Sequence, residues 1–156
     1  MHFKEKQIIT CSANITFEAA HRIFGHKGRC ECLHGHRYVC NFTFTSAKLN
    51  SLGMVIDFAE IRNILGQWIK DNLDHNVLLY KDDAKLIKAI EQSTGQKIYV
   101  LKVNPTVENI ASHFLEDICP KLFHKHNVRC ISVDIEESAT NKGSATIFSS
   151  KVCEAR

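Results

Sequence analysis

The sequence is poor in the segments that would extend it beyond one compact domain. Only two of its 156 residues are proline, which leaves little material for a linker or a disordered arm. No window approaches the roughly 18 apolar residues of a membrane helix, and the N-terminal MHFKEKQIIT lacks the apolar stretch of a signal sequence. We therefore expect a single domain over residues 1–156 that is soluble and cytoplasmic and makes no membrane contact.

Further absences narrow the classes of ligand. Neither GxGxxG nor GxxxxGK[ST] occurs, so no nucleotide held on a glycine-rich loop is predicted. The net charge is only +3 and the cations are scattered without a basic run, which argues against nucleic acid as a partner. The chain has seven cysteines, an odd number, and its sequence shows no export signal. We therefore expect reduced thiols rather than a disulfide framework.

The periodicity of apolar residues predicts an α+β fold. Alternation predicts strands over residues 7–21, 36–46, 97–103, 128–138 and 144–152. Helical spacing predicts two long amphipathic helices, over 57–73 and 104–119, and a shorter helix over 82–92. We predict an antiparallel sheet whose one face is covered by the two long helices.

The segment CECLHGHRY (30–38) concentrates metal-binding side chains. On a strand, residues two apart share a face, so His34 and His36 point the same way, and His21 can lie beside them across a hairpin. Three imidazoles with an open fourth position are typical of a catalytic zinc. Two alternatives remain: Cys30 and Cys32 complete a Cys2His2 site, or the histidines form a solvated strand face.

Other segments carry candidate catalytic groups. A thiol near zinc can act as a general base or nucleophile, and Cys30 precedes the histidine strand. Asp74 and His75 follow the first long helix, where the carboxylate can orient the imidazole. Glu137 has the inward parity of its strand, where a carboxylate can bind an amidine-like edge. Each group also has an interpretation without catalysis. Cys30 would be an idle loop cysteine, Asp74 and His75 a helix terminus, and Glu137 a solvent-facing strand end.

Taken together, these stretches resemble the family of 6-pyruvoyltetrahydropterin and 6-carboxytetrahydropterin synthases. The matching segments are FEAAHRI, CECLHGHRY, GMVIDFAEI, LDHNVL, NPTVENIA and VDIEES, in family order over nearly the whole chain. The resemblance implies the tunnelling fold, with a four-stranded antiparallel sheet and two long helices on one face. It also implies subunits arranged around a central β-barrel in homo-oligomers, hexamers or tetramers, with active sites at their interfaces.

The resemblance also implies roles for single residues. Zinc would be bound by His21, His34 and His36, with Cys30 as the proton acceptor. 

For the rest of the site, the resemblance implies that Asp74 and His75 are relay partners of the thiol. Glu137 would anchor the pterin and take part in the relay, and Thr106 and Glu108 would also bind substrate.

The implied substrate is 7,8-dihydroneopterin triphosphate. The spacing CxxxHGH resembles the bacterial carboxy branch of the family, a lyase of queuosine and deazapurine biosynthesis that forms 6-carboxy-5,6,7,8-tetrahydropterin, acetaldehyde and triphosphate. The alternatives are the pyruvoyl branch, which eliminates triphosphate in biopterin-type synthesis, and a non-catalytic oligomer that binds zinc or pterin. The segment 80–104 is longer than in the compact bacterial enzymes, and Ser138 stands where Thr is usual.

Overall fold

The computed structural model describes residues 7–147, which form one mixed sheet with helices packed on it. The strands are β1 (Thr10–His21), β2 (His34–Thr45), β3 (Asn76–Tyr80), β4 (Ile98–Leu101), β5 (Arg129–Glu136) and β6 (Lys142–Thr146). Their order across the sheet is β4-β3-β1-β2-β5-β6. The pairs β1–β2, β2–β5 and β5–β6 are antiparallel, whereas β3 runs parallel to both β1 and β4.

The sheet has six strands instead of the expected four. Strands β1, β2, β5 and β6 are antiparallel as expected, and β3 and β4 add two parallel pairings. Strand β3, with the sequence NVLLY, was not predicted from the pattern, because its first four residues are all buried and it shows no alternation. Parallel strands covered on both faces typically read as continuous apolar runs. The parallel pairing of β3 and β4 extends the sheet beyond β1 on one side. Of the predicted final strand, residues 148–152 lie outside the described part of the chain.

The helices begin and end close to the predicted bounds. Helix α1 covers 58–72, with a π-helical turn at Arg62–Gly66 between α-helical stretches, and Asp57 caps it by accepting from the Ala59 N–H. Helix α2 is Ala84–Thr94 and ends at Gly95, whose φ of 63° suits glycine. Helix α3 covers 107–122, also with a π-helical turn at Phe114–Ile118. The predicted helices are confirmed.

The core lies between one face of the sheet and the two long helices. Phe42 of β2 packs edge-to-face against Phe114 of α3, with ring centroids 5.1 Å apart, and Trp68 of α1 contacts the same Phe114 ring. The opposite face of the β1–β2 hairpin is mostly polar and exposed or half-buried, with Ser12 bonded to Thr43. This division places inward side chains of β1 and β2 under the helices. No helix within residues 7–147 is long and apolar enough to cross a membrane.

A three-histidine candidate metal site

The register of the β1–β2 hairpin brings three histidines together on the inward face at one end of the sheet. His21 lies opposite His34, and Ala19 opposite His36. One nitrogen of each ring lies within 4.8 Å of the other two. His21 is buried, with 3% of its surface exposed, and the other two are half-buried. The three imidazoles thus come together in the structure, as the parity of the strands predicted.

Hydrogen bonds fix which nitrogen two of these rings present. His21 Nδ1 lies 2.8 Å from the Pro105 carbonyl, and His34 Nδ1 lies 2.7 Å from the Cys32 carbonyl. Because a carbonyl only accepts, both Nδ1 atoms carry the proton. In the neutral rings, both Nε2 atoms are then lone-pair nitrogens, yet they face each other at 3.2 Å. A metal ion or a proton shared between the two nitrogens would satisfy both lone pairs.

The donor set fits a zinc ion. Zinc–nitrogen bonds of about 2.0–2.1 Å in a tetrahedron place two ligand nitrogens about 3.3 Å apart, close to the separation of the two Nε2 atoms. Burial lowers the pKa of His21 to about 4, with smaller contributions of the same sign from the charges of His34 and His36, so His21 stays neutral and able to ligate at neutral pH. Three protein ligands leave a fourth position open, as in catalytic sites.

The alternatives fit the geometry less well. Within the described residues, the group of converging ligand atoms includes neither Cys30 nor Cys32, and Cys32 is exposed. A solvated strand face would not direct the ring nitrogens of His34 and His36 onto a buried His21. The arrangement is therefore that of a three-histidine site.

Cys30 lies on a short turn above the end of β1. It is the middle residue of the 3-10 turn Arg29–Glu31 and is half-buried. Its carbonyl accepts from the N–H of Ile23 at 2.7 Å, two residues beyond His21. This bond ties the turn that carries the thiol to the strand end that carries the first imidazole, as expected for a loop beside the metal site.

Asp74 and His75 form a turn between α1 and β3 that is bonded to the main chain of Glu18. Asp74 Oδ1 accepts from the Glu18 N–H at 2.9 Å, and the His75 N–H donates to the Glu18 carbonyl at 2.6 Å. The second Asp74 oxygen lies 3.0 Å from His75 Nδ1. The Glu18 N–H is the main cause that lowers the pKa of Asp74, and His75 lowers it further. The carboxylate thus orients the imidazole, as the sequence suggested.

His75 does not, however, turn toward the three histidines of its own chain. Its backbone adopts a left-handed conformation, with φ of 57°, and 75% of its side chain is exposed. Non-glycine residues rarely adopt that conformation, and residues that do are enriched at functional sites. Within one chain, the structure keeps the Asp74–His75 pair apart from the histidine cluster.

Glu137 lies just beyond the register pair of Val39 and Glu136, where β2 meets β5. It follows β5 with the parity of the fully buried Val133 and Ile135, and it is half-buried while Glu136 is exposed. After burial, the charge of Glu137 is the largest cause that raises the pKa of Tyr38.

Tyr38 is a site neighbour that the sequence analysis did not single out. Its ring centroid lies 5.9 Å from that of His21 and 5.8 Å from that of His36, and its buried hydroxyl has no hydrogen-bond partner within residues 7–147. Its even-numbered position in HGHRY, in phase with both histidines, could have identified it. The Pro105 carbonyl was also missed, and no side-chain pattern signals a main-chain acceptor.

The start of α3 carries the other two predicted substrate-binding residues. Thr106 caps the helix, its Oγ1 accepting from the Asn109 N–H at 3.3 Å, and it adjoins Pro105 at the His21 ring. Glu108 is exposed in the first turn. A Cβ atom at Gly143 would lie 3.2 Å from the Glu108 nitrogen, so this helix start packs closely against β6. Thr106 is half-buried, and the role of both residues in substrate binding stays a prediction.

Comparisons with known proteins identify the class. The family model described as 6-pyruvoyl tetrahydropterin synthase matches residues 10–147. The chain belongs to this family of enzymes, as the resemblance of its motifs indicated. Solved structures share its fold: an uncharacterised protein from Wolinella succinogenes has a TM-score of 0.75 at 22% identity, covering 90% of this chain and 99% of its own. A 6-pyruvoyl tetrahydropterin synthase from Caenorhabditis elegans has a TM-score of 0.62 at 22% identity, covering 91% and 97%.

Several sequence relatives carry the name of the carboxy branch. A protein of Rickettsia typhi named 6-carboxy-5,6,7,8-tetrahydropterin synthase is 48% identical over 131 residues, which cover 84% of this chain and 95% of the relative. One of the same name from Haemophilus influenzae is 27% identical over 83% of this chain and 93% of its own length.

Proposed function

We propose that this chain is a zinc-dependent 6-carboxytetrahydropterin synthase. It would convert 7,8-dihydroneopterin triphosphate to 6-carboxy-5,6,7,8-tetrahydropterin, acetaldehyde and triphosphate, a step of queuosine and deazapurine biosynthesis. The observation that carries the metal assignment is the 3.2 Å contact between Nε2 of His21 and Nε2 of His34, whose Nδ1 atoms both bond to carbonyls. The carboxy product is supported by the names of the relatives and by the CxxxHGH spacing.

The proposed chemistry assigns one task to each group. Bound at the three histidines, zinc would lower the pKa of the substrate's side-chain hydroxyls and polarise carbonyls. The Cys30 thiolate would accept a proton from the substrate side chain. The carboxylate of Glu137 would hold the pterin edge through two hydrogen bonds and so fix which carbon faces the thiol. His75, oriented by Asp74, would transfer the compensating proton.

The proposed enzyme acts as a homo-oligomer with interfacial active sites. In one chain, the His75 side chain lies beside Glu18, on the face of the sheet away from His21. A relay between His75 and the Cys30 thiol would therefore use a second copy of the chain. The mostly polar outer face of the β1–β2 hairpin supports the same proposal, because such a face can line the interior of an oligomeric β-barrel. A hexamer or a tetramer would meet this requirement.

The test is mass spectrometry of the pterin formed from 7,8-dihydroneopterin triphosphate by the zinc-loaded protein, with acetaldehyde assayed in parallel. A 6-carboxy pterin and acetaldehyde in equal amounts are the expected products. A 6-pyruvoyl product without acetaldehyde would assign the chain to the pyruvoyl branch. Zinc binding without any product would leave a non-catalytic zinc or pterin binder.

A further inference from the structure

The loop that follows His21 is clamped by one asparagine side chain. Asn104 Oδ1 accepts from the N–H of Phe24 at 2.8 Å, and Asn104 Nδ2 donates to the carbonyl of the same residue at 3.0 Å. An amide that both accepts from and donates to one residue fixes orientation as well as distance. The two residues are 80 positions apart in the chain, so the clamp joins the end of β1 to the segment that leads into α3.

Asn104 also sets the position of the carbonyl that holds His21. Its own carbonyl accepts from Asn109 Nδ2 at 2.9 Å and from the Thr106 N–H at 2.8 Å, which fixes Asn104 to the first turn of α3. Pro105, between Asn104 and Thr106, is buried and directs its carbonyl at His21 Nδ1. The proline ring fixes φ of Pro105. The direction of its carbonyl therefore depends on how the two neighbouring residues, Asn104 and Thr106, are held.

A second contact secures the same strand end. The guanidinium of Arg22, the residue after His21, binds both carboxylate oxygens of Asp83, which is 1% exposed. Asp83 precedes α2 within the segment 80–104. Side chains of this longer segment thus hold the residues on the C-terminal side of His21 at two points.

We propose that Asn104 is a positioning residue of the metal site, an inference that rests on the proposed function. Its side chain clamps Phe24, three residues after His21, to the residue before Pro105, and so holds the His21 ring against the Pro105 carbonyl. This contact keeps the proton of His21 on Nδ1 and directs the Nε2 lone pair at the metal. Hydrogen-bond partners of metal-ligating histidines typically contribute 10–100-fold to metal affinity, because they fix the tautomer and the ring orientation. The segment 80–104 then has a function in this chain, which is to support the first metal ligand.

The test compares zinc dissociation constants of the full-length protein, measured by competition with a chromophoric chelator. Asn104→Ala should bind zinc about 10–100-fold more weakly than the wild type. Asn104→Asp keeps the acceptor for the Phe24 N–H and loses the donor, so it should show an intermediate affinity. Asn50→Ala is the matched control, because Asn50 Oδ1 likewise accepts two main-chain N–H groups, those of Leu52 and Met54, in the loop beyond the far end of β2.

Thermal unfolding of the metal-free variants separates positioning from general stability. A zinc affinity of Asn104→Ala equal to that of the wild type would overturn the inference. So would a loss of affinity that Asn50→Ala shares at a similar loss of melting temperature. If Asn104→Ala does not fold, Asn104→Asp decides on the same criteria. A wild type that binds no zinc would instead overturn the proposed metal site, and the inference with it.

Discussion

His75 and Glu18 face each other on the exposed surface of the sheet, with His75 Nε2 and Glu18 Oε2 3.9 Å apart. Glu18 and His21 are three residues apart on β1, and alternate residues of a strand point to opposite faces. The candidate relay histidine and the three-histidine cluster therefore lie on opposite sides of one sheet. No side-chain rotation within the chain can bring them together, so a shared active site requires two copies.

Mixed oligomers test this requirement. Cys30→Ala and His75→Ala should each be inactive alone, because each removes one half of every active site. When the two variants are co-expressed in equal amounts, sites that combine Cys30 of one copy with His75 of another recover. Random pairing gives about a quarter of the wild-type activity. The measurement is turnover of the purified mixed oligomer, with zinc content as the check that the metal site is intact.

Two controls complete the experiment. The separately purified variants, mixed after assembly, should stay inactive as long as subunits do not exchange. A double variant carrying both substitutions in one chain should not complement with itself. An inactive co-expressed oligomer with full zinc content would show that both residues act from the same chain.

Removing one ligand tests the metal site itself. His34→Ala should bind less than one zinc per subunit, because it removes one of three converging nitrogens and leaves His21 Nε2 without its facing partner. Metal analysis of the purified protein after dialysis is the measurement. His124→Ala serves as the control, since that histidine is exposed and, within residues 7–147, bonds only to the Lys121 carbonyl. Unchanged stoichiometry in His34→Ala would exclude it as a ligand.

Whether the sequence predicts a part of this site depends on how far apart in the chain the contacting residues are. Strand parity and one hairpin bring His21, His34 and His36 together, and the local sequence pattern predicts both. Asp57 and Thr106 were likewise predictable as helix caps from their position before an amphipathic run. The long helices follow from spacing alone, although the π-helical turn within each has no signal in that spacing.

The parts that escaped prediction depend on distant or main-chain contacts. Arg22 and Asp83 are 61 residues apart, and their pairing requires knowledge of how β3 joins the sheet. Strand β3 itself was missed because burial on both faces removes alternation. The exposed position of His75 depends on its left-handed backbone, and nothing in the dipeptide Asp-His predicts that conformation.

The Arg22–Asp83 pair predicts a large effect on stability. Asp83→Ala should lower the free energy of unfolding by about 2 kcal/mol, because it leaves the partly buried guanidinium of Arg22 without its partner. Replacing both partners by apolar residues, Arg22→Met with Asp83→Leu, should cost less, since no uncompensated charge remains. Urea unfolding of the metal-free proteins measures both. A double variant less stable than Asp83→Ala would contradict this account of the pair.

The buried His21 predicts how the metal-free protein responds to acid. Its pKa is about 4 in the native state and 6.5 as the ordinary value, so between these pH values the unfolded chain binds a proton that the native chain does not. The native protein therefore keeps the full contribution of neutral His21 to its unfolding free energy above pH 6.5, and it loses this contribution as the pH falls toward 4. A difference of this size corresponds to about 3 kcal/mol of unfolding free energy.

Substitution isolates this contribution from that of the carboxylates. His21→Gln lacks the imidazole that titrates. From pH 7 to pH 4, the unfolding free energy of the wild type should therefore fall by about 3 kcal/mol more than that of the variant. Urea unfolding in the presence of a chelator at several pH values gives the difference directly. His124→Gln, which removes an exposed histidine, is the control. A difference between wild type and His21→Gln that stays constant with pH would mean that His21 takes up its proton as readily in the native protein as in the unfolded chain, contrary to a ring buried against two further imidazoles.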